Sequence, residues 1–149
     1  MPNVIIRDAI PEDVDALLEL NRQLGSRNTE VPSHTATVAA IEHLDEQPWL
    51  HLLVAERDDE VVGTVTVAVV PSLAHTTKPW AQIENMVVHE EHRRSGIGEA
   101  LINRCEEICQ AAGVYKLQLT SSAVREGAHS FYAQVGFEPG SVGFRKYFA

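Results

Sequence analysis

The stretch from residue 83 to residue 112 constrains the fold most strongly, because a strand pattern runs through a short turn into a long helical pattern. Residues 83–88 are rich in apolar residues and predict a strand. Residues 96–112 repeat apolar side chains at helical spacing, and Gly113 ends that helix. A strand that passes so directly into an apolar-faced helix predicts a layered structure in which helices cover a sheet.

The other predicted elements alternate in the same manner. Helices are expected at residues 11–24, 35–44 and 127–135, and strands at 4–7, 51–56, 61–70, 115–120 and 144–148. Strands 51–56 and 61–70 flank a polar turn and predict a hairpin, in which Thr64 and Thr66 would face a wetter side of the sheet. We therefore predict a single α/β (α+β) domain over residues 1–149.

Charge excludes several classes of partner. The chain has 12 Lys and Arg residues against 21 Asp and Glu residues, for a formal net charge of −9. Nucleic acids and anionic membranes bind basic patches, and no run of Lys and Arg here is longer than two residues, as in Arg93-Arg94. We expect neither as a partner, whereas a negative field favours cationic small molecules such as amines. The first residues contain no long apolar stretch, so we expect no leader and a cytoplasmic protein.

Two cysteines, Cys105 and Cys109, lie four residues apart on the long predicted helix. Two cysteines are too few for a disulfide framework, and no set of His or carboxylate residues accompanies them as a zinc site would require. We expect both thiols to be reduced and buried, and we expect no bound metal.

The turn Arg93-Arg94-Ser95-Gly96-Ile97-Gly98 has the features of an anion cradle. Glycines and a serine allow successive backbone N–H groups to converge, and the following helix contributes the positive end of its dipole. Two arginines add full positive charges. A glycine-rich helix start with solvated arginines is the alternative explanation, and the turn alone does not decide between them.

A second motif follows in the order expected of one family. The residues that carry the likeness are Arg93, Gly96 and Gly98 in the turn, and Phe131, Tyr132, Gly136 and Phe137 near the end of the last helix. Together they resemble the GNAT superfamily of N-acetyltransferases. The resemblance extends over most of the chain. It implies a mixed, mostly antiparallel twisted sheet of about six to seven strands with about four helices.

The resemblance also implies acetyl-CoA as acetyl donor. Backbone groups of the strand would pair with the pantetheine arm, and amides of the turn would hold the pyrophosphate, with Gly98 facing it so closely that a side chain would block it. Arg125 stands where family members often carry Asn and could reach a coenzyme phosphate. The residues expected at the coenzyme are Met86, Val87, Val88, Arg93, Arg94, Ser95, Gly96, Ile97, Gly98, Glu99 and Arg125.

Acetyl transfer to an amine requires a general base and a proton for the leaving thiolate. Glu84 is the candidate base, with a purely structural carboxylate as the alternative. Tyr132 is the candidate general acid, carried over from the family position, with an aromatic core residue as the alternative. Weaker candidates for the acceptor site are His75, Trp49, Trp80 and Glu30.

The sequence thus predicts an acyltransferase that moves an acetyl group from acetyl-CoA to a primary amine of a small molecule. Two alternatives stay open: acetylation of a protein lysine or N-terminus, and a coenzyme-binding module without turnover. A homodimer is compatible with the chain.

Overall fold

Five strands form one sheet in the part of the chain that the computed structural model describes, namely residues 3–24, 31–121 and 126–148. They are β1 (Val4–Asp8), β2 (Leu50–Arg57), β3 (Glu60–Val70), β4 (Trp80–Val88) and β5 (Lys116–Gln118). The strands lie in chain order across the sheet. The first four pair antiparallel, and β5 pairs parallel to β4.

Helices cover both faces of this sheet. They are α1 (Val14–Leu24), α2 (His34–Asp45), the single turn α3 (Ala74–Thr77), α4 (Ile97–Ala112) and α5 (Glu126–Gln134). Helices α1 and α2 pack on one face, and α4 and α5 on the other. The mixed α+β architecture is the predicted one.

Alternation along β2 shows how one strand serves two cores. Leu53 and Ala55 join the core beneath α4, whereas Val54 between them joins the core beneath α1 and α2, and all three are fully buried. The expectation of a wetter face on β3 is therefore wrong for Thr64, which is also buried. Its hydroxyl donates to the Leu53 carbonyl oxygen at 2.7 Å, which satisfies the polar group inside the core.

The predicted hairpin is confirmed. Asp58 and Asp59 form a two-residue turn between β2 and β3, and both have positive φ, at 50° and 63°. Positive φ at both central residues is the conformation whose twist matches that of paired strands, and Asp tolerates it better than most residues. On its other edge β3 pairs with β4, which carries the site described below.

The predicted strand at residues 144–148 is wrong. That segment has no regular secondary structure, and Phe144 and Phe148 are each 93% exposed. Pro139, Gly140 and Gly143 precede it, and such residues weaken strand pairing. The described sheet accordingly has fewer strands than the six to seven predicted, and the turn α3 brings the helices to one more than four.

An ion pair network fixes the start of α1 to the sheet. Arg7 on β1 donates two parallel hydrogen bonds to Asp13, at 2.8 and 2.9 Å, and a third to Glu56 on β2, at 2.8 Å. Asp13 is only 7% exposed and also accepts from the Ile10 amide. Burial acts to raise the pKa of Asp13, but the hydrogen bonds from Arg7 and Ile10 outweigh it and lower the pKa.

Both cysteines are buried in α4, as predicted. Burial raises the pKa of Cys105 to about 12 and also raises the pKa of Cys109. These thiols therefore stay protonated and inert at neutral pH. None of the helices in the described ranges is long and apolar enough to cross a bilayer.

Candidate active site

A bulge interrupts the pairing of β3 with β4. Thr64 pairs with Val87 and Thr66 pairs with Glu84, so Val65 alone lies opposite two residues, Asn85 and Met86. Asn85 has a φ of 54°, in the left-handed region that Asn adopts more readily than most residues. Such bulges bend a strand and redirect its side chains. Here the bend falls directly after Glu84.

Strands β4 and β5 separate immediately before the bulge. They pair over only three residues, from Trp80 opposite Lys116 to Gln82 opposite Gln118. Beyond Gln82 the edge of β4 no longer pairs with β5, and a cleft of about 200 Å³ opens between them. Its described lining is Leu24, Ile83, Glu84, Asn85, Met86, Leu119, Thr120, Ser121, Tyr132 and Arg145.

Glu84 lies at the apex of this cleft with its side chain exposed. Its Oε1 accepts a hydrogen bond from Gln82 Nε2 at 3.3 Å. Gln82 Oε1 in turn accepts from Gln118 Nε2 at 2.9 Å, at the last paired position of the two strands. The two glutamines therefore connect the Glu84 carboxylate to the last paired position of β4 and β5. The exposed carboxylate is accessible to a molecule in the cleft.

Tyr132 reaches the same cleft from α5 and is half-buried. Its ring lies 5.3 Å from the Phe131 ring and 5.9 Å from the Phe137 ring, between centroids. Aromatic contacts on both sides orient the phenol. The structure thus brings the two predicted catalytic side chains, which are 48 positions apart in the chain, into one cleft.

The predicted anion-binding turn lies between β4 and α4. Arg94 has a φ of 61° and Gly96 a φ of 82°, so the backbone turns sharply before the helix. Gly96 occupies the N-cap position and has no side chain to cap the helix. The first amides of any helix lack acceptors within it, and here Ile97, Gly98 and Glu99 carry them. This geometry suits an anion at the start of α4.

Side chains within the turn brace the turn itself. The Ser95 hydroxyl donates to the His92 carbonyl oxygen, and Arg93 Nε donates to the Val88 carbonyl oxygen at 3.1 Å. The Arg93 and Arg94 side chains are exposed. Both cations are therefore available at the surface beside the amides of α4.

The backbone groups of β4 alternate between the side that faces β3 and the open side. The Val87 carbonyl oxygen faces β3, where it lies 3.4 Å from the position a Cβ would take on Gly63. Alternation along the strand then directs the backbone of Val88 and Met86 away from β3. Met86 and Val88 are thus the residues whose backbone groups face the open side.

The Cβ position of Gly98 is directed at Phe131 and Met86. A Cβ there would lie 3.1 Å from Phe131 Cζ and 3.3 Å from Met86 Cε. The residue lets the first turn of α4 pack against α5, because no side chain separates them. Its amide remains in the first turn of the helix, where the predicted anion would bind.

Some predicted residues take no part in the cleft. His75 stacks on the Tyr115 ring at 4.1 Å, and neither Trp49 nor Trp80 lines the cleft. Arg125 and Glu30 lie outside the described residues. Within the parts of the chain that are described, no group of three or more His, Cys, Asp or Glu side chains is arranged to hold a metal ion.

Sequence reasoning missed Arg145 and Thr120. Both line the cleft, and Arg145 Nη2 donates to Thr120 Oγ1 at 3.0 Å. No sequence signal marks Arg145, because it lies in an irregular segment whose position depends on tertiary packing. Thr120 was expected as the end of a strand, yet β5 stops at Gln118.

Comparison with known proteins identifies the family. The model of the acetyltransferase (GNAT) family matches residues 16–137. The chain is 30% identical to the aminoalkylphosphonate N-acetyltransferase of Salmonella typhimurium LT2, over 98% of this chain and 92% of that protein. It is 28% identical, over 92% of this chain and 82% of the relative, to a Bacillus subtilis protein provisionally named a ribosomal protein bS18 alanine N-acetyltransferase.

The fold has equally close counterparts among solved structures. A protein of Agrobacterium tumefaciens strain C58, provisionally named an acetyltransferase, superposes with a TM-score of 0.88 and 31% identity. The match covers 97% of this chain and 99% of that one. With the bulged β4, the turn before α4 and the cleft beside β5, these likenesses show that the chain belongs to the GNAT family of acetyl-CoA-dependent N-acetyltransferases.

Proposed function

We propose that this protein transfers an acetyl group from acetyl-CoA to a primary amine of a small molecule, with the whole chain acting as one cytoplasmic domain. The observation that carries the proposal is the meeting of Glu84 and Tyr132 in one cleft. The cleft adjoins the backbone edge at Met86 and Val88. One wall therefore offers a carboxylate, another a phenol, and the strand between them offers backbone amides.

Glu84 acts as the general base. An alkylammonium of pKa about 10.4 must lose a proton at pH 7, which costs about 4.6 kcal/mol at 1.36 kcal/mol per pKa unit. A carboxylate within hydrogen-bond reach, or separated by one water, can accept that proton as the amine attacks. The exposed Glu84 carboxylate, held by Gln82, is placed for this role.

Tyr132 acts as the general acid. When the carbon–sulfur bond breaks, the phenol donates its proton to the sulfur. The pKa of a phenol is higher than that of a thiol, and placement of the phenol beside the sulfur offsets this unfavourable difference. A backbone N–H of Met86 or Val88 donates to the thioester oxygen and stabilises its developing charge. The donation of a proton by Tyr132 and of a hydrogen bond by the β4 backbone both require access to the thioester. The separation of β5 from β4 beyond Gln82 leaves that edge of β4 open.

The residues before α4 fit the coenzyme. Acetyl-CoA supplies an activated thioester when it is bound. The amides of Arg94–Glu99 would hold its pyrophosphate, with the exposed cations of Arg93 and Arg94 beside them. The position of Arg125 at a coenzyme phosphate stays a prediction, as does a homodimer.

A protein acceptor is the second candidate, and the provisional name of the Bacillus subtilis relative favours it. The name of the Salmonella relative, which describes a small amine acceptor, favours the first candidate and belongs to a protein matched over more of this chain. A coenzyme-binding module without turnover has no support from a specific observation. The Glu84 and Tyr132 pair in the cleft argues against it.

Release of free thiol from acetyl-CoA in the presence of a library of small amines tests the proposal. Lysine-containing peptides and peptides with free N-termini form the second arm of the library. We expect thiol release with a subset of small amines. Turnover with peptides alone would establish the second candidate, and calorimetric binding of acetyl-CoA without turnover in either arm would show a binding module.

A further inference from the structure

We infer that the acceptor is a small amine that also carries an oxyanion, and that Arg145 binds this oxyanion. The inference rests on the proposed function and narrows its substrate class. Glu84 and Arg145, of opposite charge, both line the cleft that holds Tyr132. A zwitterionic acceptor would place its amine at Glu84 and its phosphate, phosphonate or carboxylate group at Arg145.

Arg145 is held in the cleft but keeps most of its hydrogen-bonding capacity. Its Nη2 donates to the Thr120 hydroxyl at 3.0 Å. Gly143, two residues earlier, passes Thr120 closely enough that a Cβ on it would lie 3.6 Å from Thr120 Cγ2. One contact thus orients the guanidinium, and its remaining N–H groups can bind an oxyanion in the bidentate manner typical of arginine.

Arg145 is not neutralised by an ion pair. Among the described residues, Arg7, Arg22 and Arg104 form ion pairs with Asp or Glu, whereas Arg145 does not, and neither do Arg57, Arg93 and Arg94. It is also the one cationic side chain that the described residues contribute to the cleft lining. An arginine that stays unneutralised in a chain of net charge −9 is a local site for an anion.

Arg145 lies apart from the predicted anion-binding turn between β4 and α4. Arg145 contacts Thr120, beyond the end of β5, whereas the turn that suits the pyrophosphate follows β4 and begins α4. Tyr132 and Glu84 also line the cleft, and the reacting atoms must lie within reach of them. Arg145 is therefore placed to select the acceptor, and it needs no role in the chemical step.

A matched acceptor set tests the inference. Propylamine, 3-aminopropylphosphonate and 4-aminobutyrate present the same primary amine with no anion, a phosphonate or a carboxylate. We expect the wild-type protein to show at least a tenfold higher kcat/KM for an anionic amine than for propylamine. In Arg145→Gln that ratio should fall to near one, mainly through a higher KM. The phosphonate and carboxylate arms show which oxyanion the site prefers.

Lys146→Gln provides the matched control, because it removes the same charge from the adjacent residue, which does not line the cleft. The ratio should persist in this variant. Calorimetry with 3-aminopropylphosphonate and coenzyme A gives a readout that does not depend on turnover. The affinity for 3-aminopropylphosphonate should fall at least fivefold in Arg145→Gln.

Three results would overturn the assignment of Arg145. One is an equal kcat/KM for all three amines in the wild type. The second is a ratio that survives in Arg145→Gln, and the third is a loss of acetyl-CoA affinity in that variant without loss of acceptor binding. Failure of the proposed function looks different: no amine in the screen would release thiol, while calorimetry would still report on the oxyanion site.

Discussion

Gly98 lies so close to Phe131 that a Cβ on the glycine would be 3.1 Å from the Cζ atom of the ring. The first residue belongs to the opening turn of α4 and the second to α5, next to Tyr132. The helix that would bind the coenzyme and the helix that carries the general acid are therefore in direct contact. A substitution at Gly98 should therefore alter the position of Tyr132.

Gly98→Val should displace the Phe131 ring and disturb both stability and catalysis. Forcing extra methyl groups into a packed contact costs about 1–3 kcal/mol, and the neighbouring Tyr132 would shift with α5. We expect a lower melting temperature and a reduced kcat. Thermal unfolding and steady-state kinetics measure the two effects.

A second substitution shows whether the contact is the cause. Phe131→Leu vacates space beside residue 98, so the double variant should recover part of the stability lost by Gly98→Val. Additive losses would show that residues 98 and 131 do not interact. A Gly98→Val protein that keeps its melting temperature and loses only coenzyme affinity would show that the side chain points towards the bound coenzyme.

Tyr132→Phe should lower kcat at least tenfold while KM for both substrates changes little. The substitution removes the proton donor and keeps the ring that contacts Phe131 and Phe137. Steady-state kinetics in the wild type and the variant provide the measurement. A rate within about twofold of the wild type would assign protonation of the sulfur to another group or to water.

Asp13→Asn should destabilise the protein at neutral pH by about 1–3 kcal/mol, because it weakens the hydrogen bonds from Arg7 inside a largely buried site. The folded state lowers the pKa of Asp13 below 3.8. The stabilisation from its charge is therefore present above that pH and is lost as the pH falls through the folded pKa.

Urea unfolding between pH 7 and pH 3 measures this effect. The difference in free energy of unfolding between wild type and Asp13→Asn should shrink as the pH falls below about 4. Glu42→Gln, an exposed change on α2, serves as control and should leave the profile unchanged. A constant difference across the series would show that the charge of Asp13 contributes nothing.

Local patterns in the sequence predict most of the fold. The helix over residues 96–112 and the hairpin around Asp58 and Asp59 follow from apolar periodicity and turn chemistry, and the structure confirms both. The pairing of a glycine-containing turn with an aromatic pair near residue 131 points to the family. These features are local, so a single sequence is enough to find them.

Features that depend on distant contacts could not be predicted in this way. The hydroxyl of the buried Thr64 donates to the carbonyl oxygen of Leu53, 11 residues away in the sequence. The bulge at Asn85 depends on the register between β3 and β4. Arg145 enters the cleft through a contact with Thr120, 25 residues away. Periodicity carries no information on any of these.

Proton transfer from the acceptor amine to Glu84 predicts a specific pH dependence. In the wild type, kcat/KM should rise with pH along a limb that reports the base. In Glu84→Gln that limb should flatten or move towards the pKa of the acceptor amine. At high pH, where the amine is already neutral, the variant should recover much of its rate.

The most direct test is therefore the pH-rate profile of Glu84→Gln, measured beside the wild type and Glu42→Gln. If Glu84 is the base, Glu84→Gln should show a large rate deficit at pH 7 that narrows as the pH approaches the pKa of the acceptor, and Glu42→Gln should follow the wild type. A higher KM at unchanged kcat would mean that Glu84 only positions the acceptor. A profile parallel to that of the wild type, at an undiminished rate, would show that Glu84 is not the general base.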